Sequence, residues 1–350
     1  VGCIFLCHLI HSRYLFVIAD AKGARTIWEK PKNTKVTAAY VIFNQACNGE
    51  TFFATNGPRA SHVRNTTATA FSSKNVKRMT EIIDQRMEKW IAERLEPLYV
   101  QAKQPIDIDE EMMWMTIDVI SQVGFDYVMS SDERMTFVSK MRLTMEINLR
   151  RRWNPLKRPD ALAWMFPDVR RARQASKELF EIAKHMLHVC REKENPNKDT
   201  LVYMIANDGD YESDDERACD ILIYFFAGFD TTAHSIAWTM LELGRFPEEQ
   251  TKLRAALKPS SSKGEDVRYC PELNNVTREA LRLHCPVALG PTRIATEDIP
   301  LPENKMIPKG SWCNINGYAV LRNHSVFENP DSFCPSRWEN PSEESLRAYL

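Results

Sequence analysis

Asp230, Thr231 and Thr232 stand directly behind Ala227, Gly228 and Phe229, inside a stretch that is otherwise apolar. A carboxylate and two hydroxyls are costly in such a setting unless they are hydrogen-bonded or hydrated. In a helix, Thr231 can donate its hydroxyl to the carbonyl of Ala227, four residues back, which loosens the ladder and widens the helix locally. Ala227 and Gly228 carry little or no side chain, so a flat ligand could approach the backbone closely. An acid beside an alcohol at a cavity edge has the makings of a proton relay. The alternative is a helix face turned to water, with Thr231 and Thr232 as ordinary back-bonded residues.

Other groups are weaker on their own. Glu279 and Arg282 lie three apart on one helical face, a common surface pairing worth only a few tenths of a kcal/mol. Arg337 sits between Phe333 and Trp338, and Arg293 follows a proline-marked helix end. His185, His188 and Cys190 share a predicted helix, but Cys190 is rotated away from the pair and a zinc site would need further ligands, so no metal site is assigned. Arg150, Arg151 and Arg152 read as a solvated face, with a membrane-headgroup or reductase contact as the alternative.

These residues need a frame. The 350 residues, 43% hydrophobic and 27% charged, can bury a large core and exclude a disordered or fibrous chain. A net charge of −1 gives no reason to expect nucleic acid as a partner. Nine scattered cysteines, an odd number, suggest reduced thiols in a cytosol-facing protein. His8, His11 and Arg13 interrupt the apolar start before the roughly 18 residues needed to span a bilayer. With no initiator Met and no charged leader, the start reads as internal strand sequence.

Strand composition at 14–18 is followed by a turn at Lys22 and Gly23, and residues 41–58 read as a long loop rich in Asn and Gly. Met79, Ile82, Ile83, Met87, Trp90, Ile91 and Leu95 recur at three and four, as the inner face of an amphipathic helix. Met113, Ile117, Ile120 and Val123 mark a second helix, and Leu179, Ile182, Met186 and Cys190 a third. Residues 214–243 form the longest, with Ser213 and Glu216 as a capping box and Gly244 and Pro247 as its stop. Its middle, 221–226, is apolar on every side and so runs through a core. From Pro286 onward prolines crowd the chain, and strands are expected near Ile307, at 312–315 and at 318–321. No stretch has linker composition, so one mixed domain is expected.

In this order the motifs resemble the cytochrome P-450 superfamily of haem-thiolate monooxygenases. Residues 227–232 look like the family's central-helix signature, 277–283 like the helix carrying Glu-x-x-Arg, and 335–338 like the Pro-x-Arg-aromatic element, with Ile307-Pro308-Lys309-Gly310 between the last two. Arg322-Asn323 and the stretch 331–338 look more like the membrane-bound eukaryotic branches. Arg64 followed by Ala68, Ala70, Phe71 and Ser72 is similar to the helix that holds a haem propionate, although Ala60 stands where tryptophan is usual.

The resemblance covers nearly the whole chain and implies a mainly α fold with a small β portion, a P-450 domain truncated at both ends. Within residues 1–350 it makes 214–243 the central helix, 273–284 the Glu-x-x-Arg helix and 286–338 a strand and turn region. It implies a haem-dependent monooxygenase that inserts one oxygen atom from O2 into an apolar substrate, with Asp230 and Thr231 delivering protons. Arg64, Ala227, Gly228 and Arg293 would contact haem b, and Glu279, Arg282 and Arg337 would form a structural charge network. Phe226, Ala227, Val287 and Leu289 would line the substrate cavity, with the loop 40–53 as its lid. Electrons would come from NADPH through a reductase, at the cytosolic face of the endoplasmic reticulum, with a membrane anchor preceding this sequence. The family's cysteine loop, Phe-x-x-Gly-x-Arg-x-Cys-x-Gly, is expected just beyond Leu350. None of Cys3, Cys7, Cys47, Cys190, Cys219, Cys270, Cys285, Cys313 and Cys334 has that context. The alternative is a non-catalytic binding protein or structural remnant without the thiolate.

Overall fold

Helices make up 67% of the structure and strands 6%. The computed structural model describes residues 4–9, 13–28, 34–152, 154, 156–157, 159–263, 267–301 and 305–349. Strands β1 (Ile4–Leu9) and β2 (Arg13–Ile18) lead into α1 (Ala21–Trp28) and β3 (Thr34–Lys35). A long helical run follows: α2 (Thr37–Ala46), α3 (Pro58–Ala68), α4 (Ser73–Trp90), α5 (Ile108–Val123), α6 (Ser131–Arg152), α7 (Pro167–Glu192), α8 (Leu201–Asn207), α9 (Asp214–Arg245), α10 (Pro247–Lys263) and α11 (Pro271–Leu283). The chain then alternates short elements, β4 (Thr292–Ile294), β5 (Ile299–Leu301), β6 (Lys305–Ile307), β7 (Trp312–Ile315), α12 (Gly317–Leu321) and α13 (Glu343–Ala348).

The chain forms two compact units, one of residues 37–233 and the other of residues 1–36 with 234–350, so α9 supplies its first part to one and its last part to the other. The helical unit is built on α6 against α7, with α2 on both and α5 against α4 and α6. Phe225 of α9 reaches its centre, stacking on Phe125 at 4.1 Å with Phe137 at 5.1 Å. Such rings bury large apolar areas in fixed geometry, which is what an all-round apolar helix middle needs. The other unit carries a five-stranded sheet in the order β1-β2-β7-β4-β3, antiparallel except for the parallel pairing of β2 with β7. Ile18, Ile27, Ile299, Ile307, Ile315, Phe327 and Trp338 share its core. Leu253, Val276, Ala280, Leu283 and Phe333 make a second cluster around α10 and α11.

Several local expectations are corrected. Lys22 and Gly23 lie inside α1, because the Asp20 carboxylate accepts from the Gly23 amide at 2.8 Å and so caps the helix. Residues 41–46 belong to α2, whose buried Ile42 and Ala46 pack inward, and only 47–57 is irregular. Asn44 serves that helix end, accepting from the Thr51 amide and hydroxyl. Residues 318–321 are helical and not a strand, because the Asn316 side chain caps α12 by accepting from Ala319 N at 3.0 Å.

The 79–95 stripe is also interrupted. Helix α4 gives way after Trp90 to a π-helical stretch, Ile91–Gln101, with Pro97 inside it, and Ile83 and Ile91 are exposed. Glu111 of α5 holds that junction by accepting from Trp90 Nε1, Arg94 Nε and Tyr99 Oη at 2.6–2.8 Å. Arg151 is buried and not part of a solvated face: its guanidinium donates to Asp160 at 2.6 Å and to the Lys157 carbonyl. The capping box at Ser213 is shifted. Glu216 N donates to Ser213 Oγ at 3.3 Å, but the Glu216 carboxylate accepts from Glu212 N instead of Ser213 N.

Candidate functional site

In the helical unit, the polar break of α9 is built by hydroxyls bonding backward. Thr231 Oγ1 donates to the Ala227 carbonyl and Thr232 Oγ1 to the Gly228 carbonyl, both at 2.7 Å. A third hydroxyl arrives from α5, where Thr116 Oγ1 shares its one hydrogen among Met112 O at 2.7 Å, Phe229 O at 3.2 Å and Met113 O at 3.3 Å. Thus three consecutive carbonyls each receive a side-chain donor. Asp230 and Thr231 are half-buried, Ala227 and Thr232 exposed, and Phe226 buried. The helix remains α-helical throughout. Gly228 does not open space for a flat ligand, because a Cβ there would meet Ile120 Cδ1 at 2.1 Å. Its missing side chain is the seat for α5.

Arg64, on α3, is exposed, its carbonyl accepting from Thr67 Oγ1 at 3.5 Å, and Ala60, one turn earlier, is buried. The positive charge of Arg64 lies near enough to Tyr224 to oppose the burial that pushes that phenol up to about 12. The Tyr224 hydroxyl shares a short hydrogen bond with Thr67 Oγ1. Arg293, in the sheet unit, lies on β4 opposite Cys313, with its guanidinium 5.7 Å from the Trp28 ring centre. Val287 and Leu289 are 57% and 75% exposed, in the turn between α11 and β4. Gly290 closes that turn at φ 59°, with the Ile315 carbonyl where a Cβ would stand.

Glu279 is fully buried and accepts five hydrogen bonds, all at 2.9 Å. Arg282 gives two through Nε and Nη2, and Arg337 Nε, Cys334 N and Trp338 Nε1 give one each. Arg282, equally buried, also donates to the carbonyls of Leu321, Pro330 and Ser332. Burial pulls the Glu279 carboxyl upward, but the two guanidiniums and the other donors outweigh it and hold it below the usual carboxylate range. The arrangement fastens α11 to the segment 328–338.

Two polar clusters escaped the sequence reading. Asp220 lies in the apolar run of α9 and is fully buried, accepting from Phe52 N at 2.8 Å, Tyr211 Oη at 2.9 Å and Arg59 Nη2 at 3.0 Å. Burial dominates and raises its carboxyl to about 6. His62, Asp208 and Asp210 bring one ligand-type atom each within 4.8 Å. However, the two carboxylates face opposite nitrogens of the same ring, at 2.8 and 3.2 Å, an ion-pairing clamp between α3 and the 208–210 turn. Spacing could not reveal either cluster, since Arg59 and Phe52 lie 161 and 168 positions from Asp220, only Tyr211 being near it at nine, and His62 lies 146 from Asp208.

Four of the described cysteines, Cys47, Cys190, Cys219 and Cys313, are poor sources of a metal-binding thiolate. Burial pushes Cys47 and Cys190 upward, and Cys219 and Cys313 to about 12. Cys270 points to Glu272, and Cys334 to Ser336 at 3.3 Å.

A family model described as "Cytochrome P450" matches residues 1–350. Among curated proteins, the chain is similar to rat "Cytochrome P450 4F6", 26% identical over 86% of this chain and 61% of the relative. It is likewise 26% identical to mouse "Leukotriene-B4 omega-hydroxylase 3", over 70% of this chain and 52% of the relative. The human "Ultra-long-chain fatty acid omega-hydroxylase" is also 26% identical, over 70% of this chain and 51% of that protein. The chain thus spans less than two thirds of the length of these relatives. Among solved structures, the cytochrome P450DA heme domain superposes with a TM-score of 0.77 at 21% identity, covering 99% of this chain and 75% of that one. The retinoic acid bound cyanobacterial CYP120A1 gives 0.75 at 18%, covering 98% and 78%. At these identities the structural likeness speaks for the fold alone.

Proposed function

Because the chain belongs to the cytochrome P450 family, we propose that the protein is a haem-dependent monooxygenase inserting one oxygen atom from O2 into an apolar organic substrate. The whole of residues 1–350 is read as part of one catalytic domain. The observation that carries the reading is the state of Thr231. Its hydroxyl donates to the Ala227 carbonyl at 2.7 Å, which holds its oxygen at a fixed place in a half-buried turn of α9. Asp230, half-buried beside it, supplies an acid that can pass a proton toward that hydroxyl. Thr231 holds water, and Asp230 reloads it from solvent.

Haem, when bound, would supply the oxygen chemistry. Among the described residues are groups of the kind that would hold its carboxylates. Arg64 and Arg293 offer planar, multi-donor guanidiniums to carboxylates, and Ala227 presents only a methyl group at an exposed position of α9. No cysteine among those described is poised as the axial sulfur, so no chemical step is assigned to one.

Phe226, Val287 and Leu289 are the proposed apolar contacts, and 40–53 the covering segment. Fatty acyl chains are the favoured substrate class, supported by the two omega-hydroxylase relatives. NADPH through a reductase is the proposed electron source, and the cytosolic face of the endoplasmic reticulum the proposed location. Among the described residues no helix is long and apolar enough to cross a membrane. The second reading, a non-catalytic binder of apolar molecules, is favoured by the cysteine environments alone.

The reduced CO difference spectrum of the haem-loaded full-length protein separates the two readings. A thiolate-type band, with a substrate-induced spectral shift on adding fatty acids, supports the monooxygenase. Its absence in a folded, haem-loaded preparation supports the binder.

A further inference from the structure

The polar break of α9 is shaped partly from outside α9. In a regular helix the Phe229 carbonyl accepts from the amide of residue 233. Here it also receives the hydroxyl of Thr116, which is buried on α5. Thr116 and Ile120 lie four apart and therefore share one face of α5. Ile120 fills the space left by Gly228, so the side-chain-free position brings α5 close enough for Thr116 to reach the next carbonyl along. The contact is thus keyed twice, by shape at 228 and by a hydrogen bond at 229.

With Thr231 on carbonyl 227 and Thr232 on carbonyl 228, the hydroxyl of Thr116 completes an unbroken series. Extra donors draw carbonyls away from their helical partners and weaken the ladder at that turn. Thr231 and Thr232 act from within the helix and move with it. Thr116 acts from a second helix and fixes where the weakened turn sits.

We infer that Thr116 is a positioning residue for the Asp230–Thr231 pair, seated by the Ile120–Gly228 contact and holding the 227–233 turn through the Phe229 carbonyl. The inference rests on the function proposed above in assigning that pair a role in proton delivery. Thr116 is buried and acts through the Phe229 carbonyl, so it is a positioning residue and not a catalytic one.

The test compares wild type with Thr116→Val, which keeps the volume and removes the donor, and Thr116→Ser, which keeps the donor. Amide hydrogen exchange is read by NMR or mass spectrometry on the full-length protein. In the valine variant the Phe229 and Met112 carbonyls return wholly to the amides of residues 233 and 116, whose exchange should slow by up to about fivefold, the scale of one hydrogen bond, with the rest of α5 unchanged and serine behaving as wild type. In the haem-loaded protein, the valine variant should release several-fold more peroxide per NADPH at unchanged KM, and serine should restore coupling. Unchanged exchange at residue 233, or faster exchange across α5 and α9 alike, would overturn the positioning role. If no oxygenase activity is found at all, the proposed function fails while the exchange comparison still decides this inference.

Discussion

Among the described residues two carboxylates are fully hidden from water, Glu279 and Asp220, yet their surroundings drive them in opposite directions. Glu279 has two guanidiniums and five hydrogen bonds, and despite burial its carboxyl is held below the usual range. Asp220 has one guanidinium, a phenol and one amide, and burial wins, lifting it from its ordinary 3.8 to about 6. The difference is one of supply, because a buried anion is tolerated in proportion to the fixed positive charge and donors that replace its water. Glu279 has the make-up of a permanent fastening. Asp220 ties α9 to α3 and to the irregular segment 47–57 with a group that titrates near neutrality.

The largest effect is expected on removing Glu279. Glu279→Ala would leave Arg282 and Arg337 as unpaired charges, the first of them fully buried, at a cost of about 3–5 kcal/mol. Chemical denaturation would measure it, and a midpoint equal to wild type would mean that the five bonds hold nothing together.

The pH dependence sharpens the contrast. The raised Asp220 carboxyl contributes stability that is complete below 3.8 and lost as pH rises through about 6, on the order of 3 kcal/mol. The depressed Glu279 carboxyl does the reverse, contributing above its ordinary 4.5 and losing that contribution as pH falls below it. Asp220→Asn should therefore flatten the stability profile between pH 4 and 6. A slope in that window indistinguishable from wild type would assign it to other groups.

Smaller changes test single donors. Trp338→Phe removes a neutral donor from Glu279 and should cost about 1–2 kcal/mol, whereas Tyr211→Phe removes one from Asp220 and should cost about 1 kcal/mol. Tyr211→Phe should also raise the Asp220 titration further, readable by carboxyl NMR. A fall would contradict the assignment of the phenol as a donor to the ionised form.

The same contrast explains what could be read in the sequence. Glu279 and Arg282 are three apart and Arg337 lies between aromatics, so motif order exposed the residues that meet in that network. Asp220 is a single acid in an apolar run, and nothing in its neighbourhood announces Arg59 or Phe52, which lie 161 and 168 residues away. Thr116 looks like any helical threonine until α5 is laid beside Gly228. Fold class followed from helical periodicity, which is strong in long amphipathic segments such as α7. Helices α1 and α12 were misread because a glycine in the first and branched and aromatic residues in the second masked their capping residues, Asp20 and Asn316.

The central claim is that Asp230 and Thr231 form the proton-delivering pair of a monooxygenase. It is tested most directly by the ratio of product formed to NADPH consumed, measured for Thr231→Ala against wild type in the haem-loaded full-length protein. A several-fold fall in that ratio, with the missing electrons recovered as peroxide and substrate affinity unchanged, is the expected result. A ratio equal to that of wild type would contradict it.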